Sequence, residues 1–290
     1  MLLKTEDPKW RELSPASTLV QTRSIERFLS MPVVEGQSLL FKDVDVQDLK
    51  RRHIKMLLVR KADHPHAAAD LLRMIRKLVG VALDQEWLEV DPTYRLDYHP
   101  DYVGYTSWPD EALDKFEARW PIGSTPRLVY ALALYFGHRR ADITKMRPSE
   151  LKSTFTNVIQ QKTLKALELP IHPNLREVLD AIPDLDKREF VVLTQWGKPF
   201  SPKALGMRMQ GWTKAAGILP GYTLHGLRKT LGRALAEHGA TTRELMDMLG
   251  HDNIAHAALY SRAASQKLMA RAAMDKLVNW RRKKNGEPTG

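Results

Sequence analysis

The sequence predicts a mainly α-helical chain with one small antiparallel β-sheet, divided into a helical N-terminal domain and a mixed α/β C-terminal domain. Three observations carry this. Apolar residues recur at steps of three and four through most of the chain, and three short β-like runs lie together in its middle. A stretch rich in proline and tyrosine, DPTYRLDYHPDYVGYTSWPDE, interrupts the helical pattern. With 290 residues the chain has room for two domains of ordinary size.

From Val46 to Trp87 the apolar positions follow a helical period: Leu49, Ile54, Leu57 and Leu58, then Leu71, Leu72, Ile75, Leu78, Val79, Ala82 and Leu83. The run KADHPH separates the two helices. Their polar faces are basic, with Lys50, Arg51, Arg52 and Lys55 on the first and Arg73, Arg76 and Lys77 on the second. Residues 1–40 show no compact pattern of their own. The tyrosine- and proline-rich stretch is the domain boundary, leaving residues 1–100 as the helical domain and 105–290 as the second domain.

Trp108, Pro109 and Asp110 read as a helix N-terminus. Helical runs EALDKFEARW and PRLVYALALYF lead to GHRRADITKMRP, followed by the β-like segments FTNVIQ, ALELPI and FVVL. QKTLK is the hairpin turn between the first two. Helices resume after Pro202. From Leu227 to Gly239 the chain is amphipathic, with Leu227, Leu231, Ala234 and Leu235 inward and Gly239 as the stop. Thr241 and Glu244 have the spacing of a capping box; Leu245, Met248 and Leu249 form a buried stripe, and Gly250 ends that helix. His251 is therefore presented just past a helix C-terminus. The last segment, SQKLMARAAMDKLVNW, sets Leu268, Ala272 and Leu277 on one side and is followed by a basic tail, RRKKNGEPTG.

A formal net charge of +11 and a pI near 9.7 point to a polyanionic partner, of which nucleic acid is the commonest. The absence of cysteine excludes disulfides and thiolate metal sites. Charges crowd the N-terminus and no long apolar run occurs, so a soluble, cytoplasmic, nucleoid-associated protein without membrane contact is expected. His225, His238, His251 and His256 lack the spacing of metal ligands, and no phosphate-binding GxxxxGK run is present. Neither metal nor cofactor is expected.

The most informative feature is a ladder of spacings: His225-x-x-Arg228, then His251 in LGH twenty-six residues after His225, then Tyr260 nine further on. A phenol, two imidazoles and a guanidinium at one point suffice to attack a phosphodiester, hold its charge and move its protons. The chain resembles a tyrosine recombinase of the phage integrase family. Both boxes match in residue type and spacing; FGHRRADI supplies Gly137 and Arg139, with Asp142 where a glutamate is usual, and VIQQKTLKALELPI offers Lys162 on a hairpin. Residues 105 to 275 carry the resemblance specifically, and 15 to 95 resemble the helical, SAM-like core-binding domain more loosely.

Guanidinium groups answer the charge that gathers on non-bridging phosphate oxygens in a pentacoordinate transition state, and Arg139 and Arg228 fit that task. Tyr260 is the nucleophile and needs its proton removed as it attacks, by His225. His251 donates a hydrogen bond to the phosphate, and Asp142 orients an arginine or a backbone group. The resemblance assigns the protonation of the leaving 5′-oxygen to Lys162, with Lys165 as a neighbouring alternative. It further implies a two-domain clamp on double-stranded DNA, with contacts from Lys50, Arg51, Lys55, Arg73, Arg76, Lys77, Lys203, Arg208 and Lys214. A homotetramer on DNA coupled by the C-terminal segment is implied too, as is an accessory DNA-bending or excision factor. The expected activity is site-specific integration and excision of a phage or genomic island through a 3′-phosphotyrosyl intermediate. The alternatives are a chromosome-dimer-resolving recombinase and a DNA-binding relative that has lost catalysis.

Overall fold

The computed structural model describes residues 8–101, 104–151, 154–161, 163, 165–255, 260, 270–271, 273–278 and 280. The chain falls into two compact units, Met1–Tyr102 and Val103–Gly290.

The first unit is helical: α1 (Pro8–Arg11), α2 (Pro15–Leu29), α3 (Arg51–Arg60) and α4 (Pro65–Asp84). Ser14 caps α2 by accepting from the Ser17 amide, with Pro15 in the first turn where its missing N–H is harmless. Along α4, Ala68, Leu71, Leu72, Ile75, Val79 and Ala82 are buried at helical spacing, and all but Ala82 share one core with Ile54 and Leu57 of α3. Helix α2 lies where the sequence shows no compact pattern. It buries chiefly its C-terminal end, where Phe28 meets Phe41 with ring centroids 4.9 Å apart, while Leu19 and Val20 stay exposed, so no repeating stripe announces it.

Several basic side chains of this unit hold its own backbone. Arg51 donates to the Tyr94 and Arg95 carbonyls and Arg76 to that of Leu96, fastening the segment that closes the unit. Lys77 reaches Gln21 Oε1 at 2.8 Å and Arg73 pairs with Asp70 at 2.7 Å.

The second unit continues with α5 (Asp110–Arg119), α6 (Thr125–Tyr135) and α7 (Arg140–Lys145), then strands β1 (Phe155–Ile159) and β2 (Ala166–Pro170). Helices α8 (Pro173–Asp180), α9 (Pro202–Ala215), α10 (Leu224–Glu237) and α11 (Thr242–Leu249) follow. Helix α6 is apolar nearly all round and lies inside, packed on α10 and α8. Trp108 is wholly buried against Phe116 and Tyr130; its indole N–H donates to the Thr223 carbonyl, and its amide to Thr230 Oγ1 at 2.7 Å, fixing the start of the unit on α10.

The strands form an antiparallel hairpin running from Phe155↔Pro170 to Ile159↔Ala166, with Thr156, Val158, Leu167 and Leu169 on the buried face. The third β-like run, FVVL, is not a strand. Val191 and Val192 are fully buried, the Val191 amide bonds the Met146 carbonyl, and only Leu193 makes an isolated bridge, to Pro199. Burial on both sides gives this run the composition of a strand without a neighbour to pair with. Helix α8 escaped the pattern reading because its inward residues, Leu175, Val178 and Leu179, span barely two turns.

Helices α10 and α11 follow the sequence closely: Gly239 and Gly250 both adopt the left-handed conformation, at φ +85 and +63. Thr241 Oγ1 accepts from the Glu244 amide, and the Glu244 carboxylate accepts in return from the Thr241 amide. Residues 270, 271, 273–278 and 280 are helical, with Met274, Leu277, Val278 and Trp280 about half exposed; Lys276 Nζ donates to the Gly239 carbonyl at 2.9 Å. Leu268, Ala272 and the basic tail lie outside the described residues. No helix among the described residues is long and apolar enough to cross a membrane.

Candidate active site

Four chain segments converge at the ends of α6, α10 and α11 and the tip of the hairpin. Gly137, just past α6, turns the chain at φ +63, and a Cβ there would stand 2.9 Å from Leu249 and 3.0 Å from Leu231. Glycine is therefore required twice over, for conformation and for space. Its carbonyl faces the Arg228 side chain.

Arg228, at the start of the second turn of α10, is 1% exposed. Nη1 donates to the Gly137 carbonyl at 2.5 Å, and Nη2 donates to the Leu249 carbonyl at 2.6 Å and meets His251 Nε2 at 2.8 Å. A guanidinium has no lone pair to offer, so His251 Nε2 is the acceptor in this state. Arg228 also hydrogen-bonds the Tyr260 phenol. Burial, reinforced by the charge of Arg139, lowers its pKa to about 10, which leaves it protonated at neutral pH.

The Tyr260 ring lies parallel to that of His251, with centroids 5.9 Å apart and planes within 10°. It rests on α10 at Gly232, where a Cβ would come within 2.5 Å of Cδ1. Only glycine admits the ring there. Burial raises the phenol pKa, against the opposing pull of Arg228 and Arg139.

Arg139 precedes α7 and is half-buried. Its Nη1 donates to Gln160 Oε1 at 2.6 Å. Asp142, 2% exposed, accepts from the Arg139 amide through Oδ2 at 3.3 Å and from the Gln161 amide through Oδ1 at 2.8 Å, so one carboxylate joins α7 to the hairpin. The neighbouring Arg140 turns away, its guanidinium lying over Gly206 of α9. His225 is exposed at the start of α10, its ring 4.5 Å from that of Tyr105. A groove of about 500 Å³ opens here, lined by His225, Tyr105, Arg139, Arg140, Lys203 and Gln210 among others.

The structure thus brings Arg139, Asp142, Arg228, His251 and Tyr260 together, with His225 on the groove that Arg139 also lines. Lys162 lies outside the described residues. Lys165 pairs with Asp252 at 3.1 Å, directly after His251. Lys203, Arg208 and Lys214 are exposed on α9, of which Lys203 reaches the groove. Lys50 and Lys55 are exposed on the first unit.

Three residues of the site were not picked out from the sequence. Gln160 is wholly buried, and its signal was parity: in FTNVIQ it falls on the same face as Thr156 and Val158. Gly232 is a glycine inside an otherwise sound helix, which marks a close approach. His138, between Gly137 and Arg139, is 1% exposed with both ring nitrogens lacking a hydrogen-bond partner, and burial together with Arg228 and Arg139 lowers its pKa to about 3. It stands next to the Phe136 ring as an apolar filler.

The model of the phage integrase family matches residues 111–267. The tyrosine recombinase XerD of Lacticaseibacillus casei is 23% identical over 222 residues, 71% of this chain and 75% of that relative. The tyrosine recombinase XerC of Lactobacillus leichmannii is 24% identical over 163 residues, 52% of this chain and 54% of the relative, so the match spans about half of that protein. Among solved structures, a lambda integrase tetramer bound to a Holliday junction superposes with a TM-score of 0.74 at 19% identity, covering 88% of this chain and 74% of that one.

Proposed function

This chain belongs to the phage integrase family, the tyrosine recombinases that break and rejoin DNA strands, and from that premise we propose that it is the site-specific integrase of a phage, genomic island or related mobile element. The observation that carries the reading is the docking of Tyr260 on the buried Arg228, beside His251. A phenol held there is within reach of a phosphodiester whose charge the two guanidiniums accept.

In the proposed reaction Tyr260 Oη attacks the scissile phosphorus. The bond to the 5′-oxygen breaks and a 3′-phosphotyrosyl ester forms. Because burial keeps the phenol protonated in the resting site, a base must take its proton during attack; His225, on the open groove, has that role. Arg139 and Arg228 hold the non-bridging oxygens in the transition state. The resting Arg228–His251 contact gives way to the phosphate: Arg228 donates to it directly, and His251 donates once a proton taken up from solvent sits on Nε2. Lys162 protonates the departing 5′-oxygen. The ester conserves the bond energy, so a 5′-hydroxyl of a second strand reverses the step without ATP.

The partner is duplex DNA, gripped mainly through its backbone by both units, as the basic balance of the chain and the DNA-bound fold relatives support. Assembly into a tetramer through the C-terminal segment, and an accessory bending or excision factor, belong to the same proposal. Similarity to XerD and XerC favours a second reading, a chromosome-dimer-resolving recombinase using the same residues. A direct repeat flanking the gene identifies the first; a single unrepeated target identifies the second.

The test is covalent capture. On a nicked suicide duplex carrying its site, the wild-type chain becomes attached to DNA, and Tyr260→Phe gives no attachment; equal attachment by both removes Tyr260 from its role.

A further inference from the structure

We propose that Gln160 is a positioning residue for strand cleavage, holding Arg139 on its target and tying it to the same backbone carbonyl that holds Arg228; the inference rests on the recombinase reading above. The Gln160 side chain is fully buried. Its Oε1 receives Arg139 Nη1 at 2.6 Å and Thr163 Oγ1 at 2.9 Å. Its Nε2 donates at 3.2 Å to the Leu249 carbonyl, which also receives Arg228 Nη2 at 2.6 Å. The result is a continuous chain of hydrogen bonds from one guanidinium to the other, through one amide and one carbonyl.

The chemistry of the two ends explains why an amide stands between them. Arginine only donates, and a peptide carbonyl only accepts, so the linking group must accept on one side and donate on the other. A carboxylate accepts from the arginine but cannot donate. It would set an acceptor against the Leu249 carbonyl, and it would neutralise the positive charge that Arg139 is to offer a phosphate. A neutral amide fixes the guanidinium and leaves its charge available. The chain also makes room for the amide: at Gly250, with φ +63, any Cβ would lie 2.5 Å from Gln160 Nε2. The Gln160 backbone N–H donates to the Lys165 carbonyl at 2.9 Å, so the same residue closes the hairpin tip. Misplacing a charge-stabilising group by about 1 Å is enough to lower a rate by roughly a hundredfold, which is what such a brace prevents.

The experiment uses the full chain and a nicked duplex selected by covalent capture from a randomised library with the wild type. Cleavage is measured for wild type, Gln160→Met, which is close in size but neither accepts nor donates, and Gln160→Glu. Each is tested on the ordinary phosphate and on a methylphosphonate at the scissile position, which lacks the anionic oxygen Arg139 is to hold. On the phosphate, Gln160→Met slows cleavage about 10- to 100-fold, the range for a hydrogen bond to a charged group, and Gln160→Glu at least as much. DNA affinity stays close to wild type. On the methylphosphonate the gap between wild type and variants closes to within about threefold, because the aim of Arg139 no longer matters. A packing defect would slow both substrates alike. A gap equally wide on both, no gap on either, or a neutral duplex that no chain cleaves overturns the proposal. Should Gln160→Met not fold, Gln160→Glu decides by the same ratio. A wild type that captures no duplex at all is a different result, since it overturns the recombinase reading itself and this proposal with it.

Discussion

The two arginines of the site stand in opposite surroundings. Arg228 is as buried as any leucine of the core and is held by two backbone carbonyls and an imidazole, among Leu231, Leu249 and the Tyr260 ring. Arg139 sits at the rim, held by a neutral amide, with the groove on its other side. One guanidinium is part of the fold as well as of the site; the other belongs to the site alone. A buried charge has to be fixed before substrate arrives, because unmet donors in the interior are expensive, whereas a rim charge keeps its solvent until DNA replaces it.

This contrast is broken or upheld most directly by truncating each arginine. Arg228→Ala abolishes covalent attachment and also destabilises the fold by about 2–5 kcal/mol, since the Gly137 carbonyl loses its donor, the Leu249 carbonyl keeps only Gln160 Nε2, and a large buried side chain is removed. Arg139→Ala slows cleavage by roughly 10²- to 10³-fold with a stability change within about 1 kcal/mol. Denaturant titration beside suicide-substrate capture separates the two effects. Similar stability losses in both variants would show that the rim and the interior do not differ.

Lys162 gives the next test. Lys162→Ala slows cleavage by about 10²-fold, as loss of a general acid does. Replacing the 5′-bridging oxygen by sulfur, which leaves without a proton, restores the rate. Absence of rescue transfers the task to Lys165, whose pairing with Asp252 at 3.1 Å already places it beside His251.

How much of this was legible in the sequence follows the same divide. The buried half was readable because its constraints are local: the capping box of Thr241 and Glu244, the stop at Gly250 and the fixed step to Tyr260 all act within a few turns of chain. The helical pattern was legible for the same reason. The rim was harder. Gln160 binds Arg139 and Leu249 across 21 and 89 residues, and nothing local distinguishes such a glutamine except its parity on a strand. The basic faces of the first unit misled in another way. Arg51 and Arg76, read as DNA contacts, turn at least part of their guanidiniums to the carbonyls of residues 94–96. A list of cations cannot reveal that, because the acceptors are backbone atoms that every sequence has.

Gly232 tests whether the buried half is rigid enough to hold the nucleophile. Gly232→Ala puts a methyl 2.5 Å from Tyr260 Cδ1, so the ring must move. Cleavage then falls about tenfold or more, in line with the sensitivity of reacting groups to small displacements. Stability falls by about 1–3 kcal/mol, because the methyl overpacks a buried ring by more than the better helix propensity of alanine, up to about 1 kcal/mol, gives back. Cleavage lost by a variant that denaturant titration shows to be still folded is the signature; a variant that keeps full cleavage would show that Tyr260 does not depend on this bed.

The smallest effect on cleavage is expected at His138, which lies between the two arginines and serves neither. Its pKa in the fold is lowered from 6.5 to about 3, by burial first and by Arg228 and Arg139 after it. The sign follows directly. An unfolded chain takes up this proton as the pH drops through about 6.5, while the native chain does not until about 3, so acid favours unfolding throughout that window. His138→Leu, which keeps the apolar packing against Phe136, removes the uptake. Near pH 7.5 the two chains should be close in stability, and at pH 5 the leucine variant should lead by about 2 kcal/mol in urea titration. If instead both lose stability in parallel as the pH falls, His138 is reached by protons in the native state, and the interior around Arg228 is less closed than its hydrogen bonds imply.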